Sequence, residues 1–523
     1  MSFNLVYDAF IPAFTKDGKS ELYSIEGLFD NSKNIVRLSG DSPVQEFVFI
    51  RLLLAVLYRS LKPSGRSDWL ELWNDGLPVE EIKSYLRNYQ NRFELIDENT
   101  PFYQIVGSEY ENDGTNISNI PLLLDAKSVG TQGLSHRFLF STYTNKGASR
   151  LELAQAARKL IENQNYNVAA RRPVLKGDPR KNKRSYAQIG WAGNITGLVI
   201  LGNNLEETLL LNMPPYDFLD IDPELDSALW EREQHTVVPE GLHGTEDESE
   251  TPLGPAYTYT HQSSRITLVP SSDGEYIIGS IVGIGDRLFR YDKQNIEPMS
   301  SWRQTTRQDG SEAFVPVRSS SNQIWKNLAA LVARNPADKK DQILARNLAW
   351  YDRVYPAIKE RVGTHARVCT FTALYGTQDA IIEDFIAGQV TLSSETFHNP
   401  DVMDAIIFAV SKALEIGSSV TYLKNDINIA AGGEGTFKGA SEDFLDVIGR
   451  EFEKWAVQVH SDNIDSSLNE WKKILESHSY IFESEIVNNA PPRAIGGRVV
   501  KERQVNVFTA AAKFRARNRK CLS

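Results

Sequence analysis

Cysteine is nearly absent: Cys369 and Cys521 are the only two in 523 residues. That excludes a disulfide framework and a Cys-rich zinc site within the chain. No run reaches the roughly 18 apolar residues needed to span a bilayer. The nearest, "FVFIRLLLAVLY" (47–58), is short and broken by Arg51, so no membrane partner is expected. The opening "MSFNLVYDAF" lacks a basic region followed by an apolar one, so no secretory signal is read and a cytoplasmic location is expected. The eight histidines are scattered, and no pair has the i, i+4 spacing of a helical metal site. G-x-x-x-x-G-K-[ST], H-E-x-x-H and G-x-S-x-G are all missing. "GGEGTFKG" (432–439) is better read as a flexible interhelix loop, and "VGIGD" (282–286) as a turn. With no catalytic motif, no metal site and no cofactor motif, the residues lean toward a binding or assembly protein rather than an enzyme.

What is present is an ordinary globular composition, 41% hydrophobic and 24% charged. The net charge of −11 argues against binding nucleic acid with the whole surface. Charge is unevenly placed. Residues 217–250 hold twelve acids and one arginine, whereas 171–184, "RRPVLKGDPRKNKR", hold seven bases and one acid. A second basic cluster, with eight bases against Glu502, occupies 498–520. Any one such run is ordinarily a solvated face, but two basic clusters on an acidic chain can touch phosphates locally while the remainder repels them.

A helix start is legible in "LSGDSPVQEFVFIRLLLAVLYRSL": Ser42 can cap, Pro43 suits the first helical position, and Gln45 can reach back. The helix runs to about Ser60 and is apolar nearly all round, which predicts burial. Residues 100–300 are irregular, with short β-rich runs such as "ITGLVILG" (195–202) and "SRITLVP" (264–270), and 231–255 reads as an acidic surface excursion. From about residue 398 long helical periods take over. The first is "PDVMDAIIFAVSKALEIG", and the second opens at Ser441 with Phe444, Ile448, Phe452, Trp455 and Val459 on one stripe. The third spans about 465–486 and the fourth about 499–520. The fold class is therefore α+β: an irregular mixed α/β domain over 1–396, then a four-helix bundle over 397–523. Just before the boundary, "ALYGTQDA" (373–380) reads as a tight turn leading into a helix, with Gln378 at its tip.

"FNLVYDAFIPAF", followed by "YSIEGLFDNSKNIVRLSGDSPVQEFVFIRLLLAVLYRSL", resembles the start of the CasA family, the large subunit of the type I-E CRISPR Cascade complex. "KGDPR" (176–180), "IGWAGNITGLVILGNNLEETLLLNM" (189–213) and "NIEPMSSWR" (295–303) are similar to blocks of that family in the same order. The resemblance covers essentially the whole chain. It implies a non-catalytic subunit of an RNA-guided complex that recognises a short PAM duplex, helps start strand separation and supports recruitment of a helicase–nuclease. Some members carry cysteine pairs consistent with zinc, but with two cysteines this chain is expected to hold no cofactor. Guide pairing reads the sequence, and protein reads the PAM.

Site residues follow from the resemblance with unequal force. The family wedges a glutamine beneath the PAM, and by position in "YGTQDAII" that residue is Gln378; the alternative is a helix-capping or solvated glutamine. A lysine finger in the PAM minor groove corresponds to Lys293 in "YDKQNIEPMSSW", the alternative being an exposed loop lysine. A glycine-containing loop that approaches the PAM corresponds to "NVAARRP" (167–173), where Ala169 and Ala170 replace glycine and Arg171 and Arg172 are available to phosphates. Residues 128–142 fall where the family has an extended loop contacting the complex core and the PAM region. The expected partners are the guide-RNA-loaded Cascade subunits, double-stranded target DNA and the helicase–nuclease, with the bundle lying along the small subunits and the displaced strand through its basic last helix. Two rival readings stand beside this one: a stand-alone nucleic-acid enzyme with a carboxylate metal site, and a scaffold binding RNA or protein without PAM recognition.

Overall fold

The computed structural model describes residues 2–110, 150–169, 172–180, 187–238, 253–288, 290–319, 323–332, 341–434 and 439–523. It divides into two compact units, neither of them continuous in sequence. The first comprises Met1–Asn322, Asp338–Pro356 and Val368–Gln389. The second comprises Gln323–Ala337, Ala357–Arg367 and Val390–Ser523, so a single cut at 396/397 does not describe the division.

The strands in chain order are β1 (Ile11–Thr15), β2 (Ser20–Tyr23), β3 (Ile35–Leu38), β4 (Leu151–Glu152), β5 (Gly197–Leu201), β6 (Ser264–Pro270), β7 (Tyr276–Ile284), β8 (Trp302–Thr306), β9 (Glu312–Pro316), β10 (Gln342–Ile343), β11 (His365–Tyr375) and β12 (Ile382–Ser393). They form small three-stranded sheets in the orders β2-β1-β3, β4-β7-β6, β12-β11-β5 and β10-β8-β9. "VGIGD" thus ends a strand rather than making a turn. The run after Gln378 is also a strand, β12, and not a helix. Its buried Ile382, Phe385, Val390 and Leu392 face the interior, with exposed Glu383, Asp384 and Ala387 between them. So short an apolar run fits either period, and pairing with β11 decides it.

The first long helix, Gln45–Leu61, is buried almost throughout, as its all-round apolarity requires. It starts later than the capping pattern suggested. Ser42 does not cap it but donates its hydroxyl to Glu162, while Gln45 Oε1 accepts from the Asp41 amide at 2.8 Å. Inside this helix Arg51 is fully buried against Glu297.

In the second unit four long helices, Pro400–Ala430, Glu442–Ala456, Ile464–Asn488 and Val507–Leu522, pack on one another. The first does not stop at Gly417. A Cβ there would sit 3.0 Å from Leu445, so the glycine admits the neighbouring helix instead of ending its own. At 31 residues, about 46 Å of rise, it is the one described helix long and apolar enough to cross a bilayer. Counting unbroken apolar runs misses it because Asp404, Lys412 and Glu415 interrupt the pattern. Its Ile406, Val410, Ile416, Val420 and Leu423 are buried inside the protein. The last helix starts at Val507, not near 499, because 498–505 fold as a hairpin of β13 (Arg498–Val500) and β14 (Arg503–Val505).

Candidate nucleic-acid interface

Gly376, Thr377, Gln378 and Asp379 close the β11–β12 hairpin. The Gly376 amide donates to Ile381 O at 2.9 Å and the Asp379 amide to Gly376 O at 3.0 Å. Gln378 and Asp379 are both left-handed, with φ of 58° and 55°. For side chains other than glycine this conformation costs roughly 1–2 kcal/mol per residue. Asp tolerates it through local hydrogen bonds, whereas Gln has no such compensation. The Gln378 side chain is exposed at the tip and offers an amide that both donates and accepts.

Beneath this turn the first unit builds a base. Tyr375 is half-buried, and loss of solvent around its hydroxyl pushes its phenol well above the ordinary value. Its hydroxyl lies 3.3 Å from the carbonyls of both Tyr166 and Asn167. Gly193 leaves the room: a Cβ there would meet Tyr375 Oη at 2.2 Å. The Ala169 amide donates to Asp379 O at 2.9 Å. The structure therefore brings the segment read as the glycine-loop counterpart into direct contact with the Gln378 turn.

Arg172 is a correction to the phosphate-contact expectation. Its guanidinium is buried, donates to Asn167 Oδ1 at 2.7 Å, and is pulled down to about 10 by loss of solvent. It fixes the loop from inside. Ala170 and Arg171 lie outside the described residues, as do 128–142 and most of the acidic excursion. The rest of the first basic cluster is likewise committed where it is described. Arg180 pairs with Asp178 at 2.9 Å and donates to Gly285 O at 2.7 Å, and Lys176 faces Glu109 at 3.4 Å. In the second cluster Lys513 and Arg515 pair with Asp426 and Glu483, while Arg519 and Lys520 remain exposed on the last helix.

Lys293 stands on a half-buried loop. Burial lowers its ammonium's pKa, against the raising influence of adjacent Asp292. Among the described residues no carboxylate lies within ion-pair distance of its Nζ; Asp292 itself is turned to Arg307. Two anchors hold the loop. The Asp292 amide donates to Phe314 O at 2.9 Å while Asp292 Oδ1 accepts from the Phe314 amide at 2.8 Å, tying the loop to β9. The Glu297 amide donates to Lys293 O at 3.0 Å, and the Glu297 carboxylate receives Arg51 at 2.7 Å and Trp191 Nε1 at 2.6 Å. Trp191 and Trp302 share a small buried cluster. A loop pinned at both ends presents its lysine at little entropic penalty.

Sequence reasoning missed Arg318, two residues beyond β9. Its guanidinium lies 3.4 Å from Asp379 Oδ1 and 5.2 Å from the centre of the Tyr375 ring. Nothing local marks it, because its partners are about sixty residues away. Among the described residues no group of three His, Cys, Asp or Glu side chains is arranged to hold a metal ion.

This chain matches the family model described as CRISPR-associated protein Cse1 over residues 4–479. A curated relative, CRISPR-associated protein CasA/Cse1 of Thermus thermophilus, is 27% identical over 336 residues; the match spans 64% of this chain and 60% of that protein, less than two thirds of its length. The crystal structure of Thermobifida fusca Cse1 is 28% identical and covers 100% of this chain and 98% of its own, with a TM-score of 0.87. A chain of a solved CRISPR RNA-guided surveillance complex shares the fold at 17% identity and a TM-score of 0.72, covering 100% of this chain and 99% of its own. By its sequence and its fold, the chain belongs to the CasA/Cse1 family of CRISPR-associated proteins.

Proposed function

We propose that this chain is the large, non-catalytic subunit of an RNA-guided type I-E surveillance complex, in which it reads the PAM duplex and starts strand separation. The observation that carries the reading is Gln378, an exposed glutamine held left-handed at the tip of a braced hairpin. Backbone strain of that kind concentrates at functional sites. A planar amide projecting from a fixed turn can enter a base step and hydrogen-bond the bases it parts, an unstacking of a few kcal/mol that neighbouring phosphate contacts offset. Lys293 reaches the degenerate acceptors of the minor groove, giving loose sequence preference. The Ala169 amide supports the turn through Asp379 O, and Arg171 is the candidate for phosphate. The exposed bases of the last helix face the displaced strand and the small subunits, and the assembled complex recruits the helicase–nuclease.

The test is a gel shift at fixed salt with the guide-loaded complex, with and without this chain, on matched targets carrying a functional or a scrambled PAM. Binding that requires both this chain and the PAM, and that falls at least tenfold with Lys293→Ala or Gln378→Ala, supports the reading. Equal binding without the chain refutes it, and a scaffold role then takes its place.

A further inference from the structure

We propose that Arg318 is a positioning residue for strand opening: it holds the Gln378 turn in shape and ties it to the sheet that supports the Lys293 loop. This rests on the reading of Gln378 and Lys293 given above.

The root of Arg318 is rigid. Val317 donates its amide to Ser301 O at 2.8 Å and accepts from Thr196 at 2.9 Å, and the Ser319 amide donates to Thr196 Oγ1 at 2.6 Å. From that fixed root the side chain reaches Asp379, the second left-handed residue of the turn, and lies against Tyr375, the turn's foundation. Four residues back along the same chain, Phe314 is doubly hydrogen-bonded to Asp292, next to Lys293. The two elements are thus anchored on one strand end about 13 Å apart along the backbone. The charge logic agrees. Asp379 alone would set a carboxylate at the point where a duplex must approach, and the Arg318 guanidinium cancels it. The Arg318 side chain is 30% exposed and that of Asp379 38%, so the pair contributes little to overall stability and its loss leaves the fold intact.

The experiment uses the reconstituted guide-loaded complex and follows 2-aminopurine placed at the first target base pair. One duplex is fully paired, and a second is already mismatched at the first two positions. Wild type is compared with Gln378→Ala, Arg318→Gln, Arg318→Lys and the Gln378→Ala/Arg318→Gln double variant. The expected result is that Arg318→Gln opens the paired duplex about tenfold more slowly. It should act within twofold of wild type on the mismatched one, with most of the rate recovered in Arg318→Lys. The double variant should be no slower than Gln378→Ala alone. Equal slowing on both duplexes, with the salt slope reduced by about one, would mean a plain phosphate contact and overturn the proposal. An unchanged rate on the paired duplex overturns it as well. If Gln378→Ala leaves opening of the paired duplex unchanged, the wedge reading itself fails, a result distinct from failure of Arg318 alone.

Discussion

Replacing Glu297 by glutamine isolates a buried charge beneath the Lys293 loop, and the penalty follows from the geometry. Arg51 and Glu297 are both fully buried, with Arg51 Nη1 at 2.9 and 2.7 Å from the two carboxylate oxygens. The guanidinium also lies 4.2 Å from the Tyr259 ring centre and 5.2 Å from that of Phe47. Glutamine preserves the volume, so no cavity forms and the change is electrostatic. Removing one partner of such a pair costs about 3–5 kcal/mol, because the remaining ion stays desolvated. The two rings stabilise it by only about 2 kcal/mol. With a urea dependence of roughly 2–3 kcal/mol per molar, the unfolding midpoint should fall by about 1–2 M. Substituting both, Arg51→Met with Glu297→Gln, should cost less than the single change, since neither charge then has to be buried and the glutamine Oε1 still accepts from Trp191 Nε1. Urea titrations read by tryptophan fluorescence make the comparison. A single-variant shift under about 0.3 M, or a double variant worse than the single, would refute the reasoning. The Lys293 carbonyl is held by the main-chain amide of residue 297, which Glu297→Gln retains, so PAM discrimination should be unchanged under conditions where the chain is still folded.

Acid should weaken the first unit through His235, which sits 3.3 Å from Asp286 and is pulled down to about 4 by burial. The unfolded imidazole takes its proton near pH 6.5 and the folded one does not, so stability is lost as pH falls from 6.5 toward 4. The loss is roughly 2 kcal/mol by pH 5, and melting curves should show a shallower acid slope in His235→Gln. Gln378→Gly should stabilise the hairpin by up to about 1 kcal/mol by relieving the left-handed strain, while abolishing strand opening; retained opening would sink the wedge reading. Arg172→Met should leave the slope of DNA affinity against salt unchanged, because a buried guanidinium neutralises no phosphate. A slope reduced by about one would place that side chain on the DNA after all.

The parts of this fold that were legible in the sequence are those set by local periodicity. Phe444, Ile448, Phe452 and Trp455 recur at helical spacing and are all buried on one stripe. The apolar Gln45–Leu61 helix is interior for the same reason. The misreadings arise where non-local pairing decides. β12 takes its state from β11, and Gly417 serves packing against Leu445 rather than helix termination. Arg172 shows the same limit for charge: seven bases in a row of fourteen look solvated, yet this one is drawn inside by Asn167. For the candidate site, Gln378 and Lys293 were read from the family resemblance, and the first lies on a left-handed hairpin turn and the second on a loop pinned to β9. The sequence had no means of finding Arg318, whose partners, the Asp379 carboxylate and the Tyr375 ring, lie about sixty residues away in the chain.

The interleaving of the two units has a consequence for inheritance. The second unit is assembled from three separate stretches of chain, and its Trp325, from the earliest of them, stacks on Phe452 at 5.5 Å. No single cut of the gene releases it: a fragment beginning at residue 397 would leave behind Gln323–Ala337 and uncover an aromatic face meant to be covered. Such a unit cannot be shuffled between genes as a cassette. Recombination within the second half of this gene would scatter its pieces, so the chain is expected to exchange among genomes whole.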